Sequence, residues 1–404
     1  MGQVRMTRLG TLLSPVLALG VASTAVLALH LDAQVSPLAA PAPGASGQPA
    51  AASVPHGVRG VQTALPTAAR SSGGTGVIRP GAFSQVAVTW RGDAPTVRVS
   101  THTRGAWTPW STLEPFEDAD LDEGNGTHGT DLVAVGPSDA VRVRISGGSG
   151  RDLHVVTIDP GQTDAVAYAA STVTTATTSP SATPTSITAP LASPAPYTPP
   201  SHYAPKPAIL NRAKWGADES LRNGDPEYNQ VIKQVHVHHT ASRNDYTMAE
   251  VPGLIRGMYW YHTQSLGWND IGYNFLIDRF GRLWEGRRGG WVTHPTRGAH
   301  TLGFNWDSTG VALIGNFEKK APTKAAITTL VHFAAWKLDY HRMKPSGWVT
   351  VISEGSDRYP KGTHARLPVI DGHRHTNETA CPGKYLFAKL PDIRTRAQAR
   401  ADHY

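Results

Sequence analysis

Between residues 161 and 205 the chain carries Thr/Ser clusters and a proline-rich end, with few large apolar side chains. Such a stretch cannot offset the entropy of ordering, so it reads as an extended linker that separates two folded units. A second Ala/Pro/Gly/Ser-rich stretch, residues 34–76, reads as a linker for the same reason. Fourteen of the 31 prolines lie in these two segments, so the folded mass is smaller than the length of 404 residues suggests.

Ahead of the first linker, Arg5 and Arg8 precede an apolar run from Leu9 to Leu29, interrupted only by Thr11, Ser14, Pro15, Ser23 and Thr24. That is the pattern of a secretory signal over residues 1–33. It predicts a secreted, extracellular or cell-wall-associated protein that meets a membrane only transiently, through this segment. An uncleaved anchor is the alternative, because about 20 apolar residues can span a bilayer. The net charge is +7, from 38 basic and 31 acidic residues, with no basic run interleaved with aromatics. Nucleic acid is therefore not an expected partner. A mild positive excess suits an anionic cell envelope, or simple solubility. A monomer is expected.

The first unit, residues 77–160, shows short alternating runs such as Gln85-Val86-Ala87-Val88-Thr89-Trp90, Thr96-Val97-Arg98-Val99-Ser100 and Ala140-Val141-Arg142-Val143-Arg144-Ile145. With turn residues between them, these predict a small all-β, sandwich-like domain. Trp107 and Trp110 are a sugar-stacking platform or, by the alternative, edge packing. The acidic string from Asp118 to Gly124 resembles half of a calcium loop but lacks its later ligands, so it reads as a solvated turn. The second unit, residues 206–404, alternates strand signals (Val235 to Thr240, Gly272 to Asp278, Gly310 to Gly315) with helix signals at 248–263, 323–341 and from about Pro382. It predicts an α/β domain with a central mixed sheet flanked by helices.

Cys381 is the only cysteine, so an exported chain cannot close an internal disulfide with it. Two histidine-bearing strings lie in the same domain: Val235-His236-Val237-His238-His239 and Gly372-His373-Arg374-His375, the latter eight residues before the cysteine when counted from His373. A three-ligand zinc site with one open tetrahedral position is the leading physical reading, although spacing alone does not choose the ligands.

The strings Ile209 to Ala217, Val237-His238-His239-Thr240-Ala241, Asp270 to Phe275, Gly298-Ala299-His300, Gly310 to Phe317 and Gly372-His373 with Thr379-Ala380-Cys381-Pro382-Gly383 occur in one order. Together they resemble the peptidoglycan recognition protein and type 2 N-acetylmuramoyl-L-alanine amidase family over about half the chain. The resemblance implies Zn²⁺ held by His238, His373 and Cys381, catalytic roles for Tyr273 and Thr379, and peptidoglycan, its glycan strand and stem peptide, as the partner. It also places His300, Asn305 and Trp268 along the substrate groove. The implied activity is hydrolysis of the amide between N-acetylmuramic acid and L-alanine, with a non-catalytic peptidoglycan-binding module as the alternative. A thiol hydrolase using Cys381 as nucleophile is a third reading. His236, His375 and the string Thr376-Asn377-Glu378 depart from the family pattern and bear on the groups that orient the ligands. The Cys381 thiolate is expected at a helix N-terminus, and Glu378 is a nearby carboxylate for a general base.

Overall fold

The computed structural model describes residues 57–71, 73–116, 123–161, 197–289 and 295–404. The signal segment 1–33, most of both linkers and residues 118–122 of the acidic string lie outside these residues. No helix among the described residues is long and apolar enough to cross a membrane.

The N-terminal domain is all β, and its strands form one nine-stranded sheet: β1 (Arg59–Ala64), β2 (Phe83–Arg91), β3 (Thr96–Thr103), β4 (Ala106–Trp107), β5 (Ser111–Leu113), β6 (Pro115–Phe116), β7 (His128–Thr130), β8 (Val133–Ser146) and β9 (Arg151–Asp159). The long strand β8 pairs first with β2 and then with β3, so the sheet turns back on itself. Alternation in β2 sends Val86, Val88 and Trp90 into the domain's own core with Val97, Val143 and Val155. The intervening Ala87 faces the other way and packs, with Val156 and Ile158 of β9, against the second domain. Both faces of the central strands are therefore covered. The domain also begins earlier than residue 77, because β1 adds antiparallel to β9 from Arg59↔Asp159 to Ala64↔His154. Composition hid this strand, whose small and polar residues sit on a sheet edge.

Trp107 and Trp110 carry the guanidinium groups of Arg142 and Arg144 over their rings, at 3.8 and 4.1 Å. One face of each ring is thus taken by a cation.

The C-terminal domain is built on a six-stranded mixed sheet. Its elements are β10 (Ile209–Leu210), α1 (Arg212–Trp215), β11 (Gln234–His239), α2 (Val251–Trp260), β12 (Phe275–Ile277), β13 (Leu283–Glu285), β14 (Ser308–Leu313) and α3 (Lys324–Tyr340). There follow a separate hairpin of β15 (Trp348–Ile352) and β16 (His364–Pro368), then β17 (Ile370–Gly372), α4 (Lys384–Phe387) and α5 (Leu390–Ala401). The strand order is β10-β13-β12-β14-β11-β17, with β11 parallel to both β14 and β17.

Alternation along β11 and β14 divides two layers. Val235, Val237, Val311 and Leu313 meet Leu330, Ala334 and Leu338 of α3 and Leu390 and Ile393 of α5. Thr323 caps α3, its side chain accepting the Ala326 N–H at 3.2 Å. On the opposite face lie His236, beside Asp371 and His300, and His238, beside His300, His373 and Tyr273. The helix α2 starts at Val251 rather than 248, with Pro252 in its first turn and Met248 left exposed.

The expected separation of the two units by a linker does not hold for their packing. Phe116, Leu132 and Ala134 of the β domain share one apolar cluster with Tyr261, Leu266 and Trp268. Tyr261 donates its hydroxyl to the Thr130 carbonyl at 2.9 Å, and Arg256 donates to the Pro160 carbonyl at 3.0 Å. The end of the second linker is likewise packed: Tyr197 rests on His341 and Ala204 is fully buried.

Candidate metal centre

Parallel pairing brings the carboxyl ends of β11 and β17 side by side, the place where open α/β sheets bind ligands. His238 lies near the end of β11, and His373 opens the turn that follows β17. The chain then loops through Thr376 and Asn377 and returns Cys381 to the same point. One donor atom from each of His238, His373 and Cys381 lies within 4.8 Å of the others. The Cys381 Sγ to His238 Nδ1 distance is 3.7 Å.

Each of the three has an orienting partner. Nε2 of His238 lies 3.2 Å from Nδ1 of His300, which leaves Nδ1 of His238 for a metal. The Asn377 side chain hydrogen-bonds His373. The sulfur of Cys381 accepts the backbone N–H of His239 at 3.3 Å. Burial, followed by the neighbouring histidines, holds His238 well below the usual imidazole range and pushes His373 down to about 3. Neutral imidazoles and a thiolate with an N–H donor form the donor set that Zn²⁺ takes in a three-ligand site, so these residues fit the ion.

The expected helix N-terminus at Cys381 is absent. Helix α4 has only four residues and starts at Lys384. Gly383, with φ +86°, precedes it, and a Cβ there would lie 2.3 Å from the Phe317 carbonyl carbon. Tight packing on that backbone delays the helix, and the His239 N–H takes the place of the helix dipole.

Tyr273 and Thr379 both line the pocket in front of the donors, a cavity of about 100 Å³. The Tyr273 ring is buried, its centroid 5.5 Å from that of His238. Thr379 accepts the Cys381 N–H on Oγ1 at 3.1 Å. Glu378 is exposed at the rim, where its N–H donates to Asp357 at 2.7 Å.

The groove residues expected from the resemblance are not on the pocket wall. His300 and Asn305 are fully buried, and Oδ1 of Asn305 accepts the His300 N–H at 2.8 Å. Asn305 thereby sets the loop that carries the His300 ring behind His238. A Cβ at Gly310 would come within 2.3 Å of the His300 ring, so glycine at that strand position makes room for it. Trp268 is buried beneath Phe116, with ring centroids 5.2 Å apart. The two unusual histidines also have places. His236 Nδ1 lies 2.6 Å from Asp371 Oδ1, both side chains fully buried, and His375 packs on Phe387 at 4.9 Å.

Residues of the N-terminal domain reach the same pocket, which sequence reasoning missed. Glu114, Phe116 and Asp131 line it opposite Thr379 and Cys381. Phe116 stacks on His262 at 5.1 Å and faces Tyr273 at 6.2 Å. Burial, and then the Glu114 charge, push the Asp131 carboxyl up to about 8. No motif in the second unit could have signalled this, because these side chains come from 142 to 159 residues upstream of Tyr273, in a separate sheet.

Comparison with known proteins adds two family matches. Residues 228–384 match the family described as N-acetylmuramoyl-L-alanine amidase. Residues 37–188 match one described as Rv3811 N-terminal galactose-binding domain-like. Peptidoglycan-recognition protein LE of Drosophila melanogaster is 42% identical over 120 residues, 30% of this chain and 33% of that protein. The N-acetylmuramoyl-L-alanine amidase of Homo sapiens is 39% identical over 189 residues, 46% of this chain and 28% of that protein. The chain thus spans about a third or less of the length of these two curated relatives. Among solved structures, peptidoglycan recognition protein LE in complex with tracheal cytotoxin is 32% identical, covering 46% of this chain and 93% of that one, with a TM-score of 0.36.

Proposed function

Because the chain carries a domain of the N-acetylmuramoyl-L-alanine amidase and peptidoglycan-recognition family, we propose that it is a zinc-dependent amidase that cuts between N-acetylmuramic acid and L-alanine in peptidoglycan. The observation that carries this reading is the convergence of the His238, His373 and Cys381 donors within 4.8 Å, beside a pocket lined by His373, Cys381, Tyr273 and Thr379.

Those three residues would hold the ion, which when bound polarises the scissile carbonyl and activates water. The remaining work falls to the chain. With Nδ1 of His238 holding the ion, its proton would sit on Nε2, 3.2 Å from His300 Nδ1, and donating it there would fix the tautomer. Tyr273 donates its hydroxyl to the carbonyl oxygen as negative charge develops there. Thr379 ties down the Cys381 loop through Oγ1 and keeps its own hydroxyl proton for the substrate. Phe116 closes the apolar side of the pocket and keeps bulk water from the reacting carbonyl. The amide and one water give a carboxylate and the ammonium group of L-alanine, with both water protons ending on the leaving nitrogen.

Export from the cell rests on the pattern of residues 1–33, and a peptidoglycan substrate lies where an exported chain would meet it. The reading is tested by incubating the full chain with muropeptides, with and without a chelator, and identifying products by mass spectrometry. Stem peptides with a free L-alanine amine, lost on chelation and restored by Zn²⁺, are the expected outcome. Tight binding with no release under any metal condition would instead assign the chain to recognition alone.

A further inference from the structure

The metal pocket does not end at the α/β domain. Glu114, His239 and Ala380 line it and also line a second, larger cleft of about 430 Å³ that runs along the junction with the β sheet. One wall of this cleft is β5 with the start of β8, represented by Ser111, Thr112, Leu113 and Val135. The other is the loop after β11 and the segment after β14, represented by Asn244, Asn316 and Lys319. Ligand sites favour such domain junctions, and a volume of this order accommodates small-molecule and sugar-sized groups.

The walls are fixed relative to the metal donors. The Ser242 hydroxyl accepts the Ala134 N–H at 3.3 Å and lies 3.3 Å from the Leu132 carbonyl, so β8 is tied to the strand-end loop that follows His238 and His239. Beside it the Glu123–Arg287 ion pair and the Tyr261 to Thr130 hydrogen bond hold the sheet to the second domain. The cleft is continuous with the pocket through Glu114, His239 and Ala380.

Its chemistry is close to neutral. Among the residues that line it, Glu114 and Glu318 are balanced by Arg243 and Lys319. Arg243 is further tied to Asp245 and Glu250, and Glu318 to Lys384 and Arg374. What remains towards the solvent is the exposed hydroxyl of Ser111, on the same face of β5 as Leu113, beside the apolar side chains of Val133 and Val135. A carbohydrate ring presents the matching surface: hydroxyl and acetamido groups at its edge, C–H groups on its faces and no charge. A peptide bearing several carboxylates finds no unneutralised cationic row here.

We propose that the junction cleft is a glycan subsite, so that the β domain forms half of the substrate site and sets how the sugar strand leads to the metal pocket. The proposal rests on the amidase reading for the identity of the glycan. It places the stem-peptide side of the scissile amide on the other rim, along Leu302, Asp357 and Asn377.

The test uses the full zinc-loaded chain and a peptide-free oligomer of N-acetylglucosamine and N-acetylmuramic acid, which contains no scissile amide. Binding is measured by titration calorimetry for the wild type, Ser111→Trp and Thr112→Trp, with melting temperatures as the folding control. Both positions are exposed strand sites that tolerate an aromatic residue. The expected result is oligomer binding by the wild type, weakened about tenfold or more by Ser111→Trp and unchanged by Thr112→Trp, whose side chain leaves β5 on the opposite face. No oligomer binding by the wild type, equal binding by all three proteins, or selective loss of free stem-peptide binding would overturn the proposal. Release of stem peptide by the wild type is read separately, so loss of the amidase reading and loss of the glycan subsite give different results.

Discussion

Glu123 of the β domain and Arg287 of the α/β domain form an ion pair across the domain junction, with side-chain exposures of 8% and 6%. The pair is well served: Glu123 Oε1 also accepts the Asn269 N–H at 3.0 Å, and Arg287 Nε donates to the Ile271 carbonyl at 2.9 Å. Removing one charge leaves the other buried without its counter-ion, which costs about 3–5 kcal/mol. Glu123→Gln should therefore lower the urea midpoint by the equivalent of that energy, while Arg287→Met with Glu123→Leu should recover most of it. Equal stability of wild type and Glu123→Gln would mean that the junction is wet and loose.

The His300 ring lies 3.2 Å from His238 and does not line the pocket in front of the donors. His300→Ala should leave the fold intact and weaken zinc binding about 10–100-fold, the usual cost of losing an orienting partner. Competition against a chromogenic chelator measures it. His300→Gln, which can still accept the His238 N–H, should restore part of the affinity.

Burial sets a pH dependence on the metal-free chain. His262 and His341 are both pushed down to about 3 from 6.5, by burial first and then by Arg287 and Lys337 respectively. In the unfolded chain they protonate near 6.5. As pH falls below that value the unfolded state takes up protons that the folded state refuses, so stability present above pH 6.5 is lost progressively towards pH 3. Melting temperature measured from pH 7 to 4 in chelator should fall steadily, and His341→Leu should flatten the fall.

Asp131 has the opposite sign. Its carboxyl is pushed up from 3.8 to about 8, so the stability linked to its proton is complete below pH 3.8 and lost as pH rises through 8. Asp131→Asn cannot ionise. Its melting temperature relative to wild type should be higher at pH 9 than at pH 4. An unchanged difference between the two pH values would place the carboxyl in contact with water.

Much of the second domain was legible because its signals are local. The alternation of Val235, His236, Val237 and His238 marks a strand with two distinct faces, and the Ile327, Leu330, Val331, Ala334 and Leu338 stripe marks a helix. The His373 to Cys381 spacing is short, and the loop between them closes on itself. His300 was harder to place. A histidine in a glycine-rich loop looks available to substrate, and only the Asn305 side chain, five residues on, turns it inward. The contribution of Glu114, Phe116 and Asp131 was illegible because it depends on how two sheets pack. Their only local trace is the apolar character of both faces of β2 and β9, where Ala87, Val156 and Ile158 sit between Val86, Val88 and Val155. Two covered faces in a small β domain require a partner surface.

The central claim is tested most directly by measuring zinc content and stem-peptide release on one preparation each of the wild type and Cys381→Ser. The expected result is about one Zn²⁺ per wild-type chain with chelator-sensitive release, and in Cys381→Ser a loss of both. Retention of zinc and of the full cleavage rate in Cys381→Ser would contradict the account, as would a zinc-free wild type whose cleavage is abolished by thiol alkylation alone.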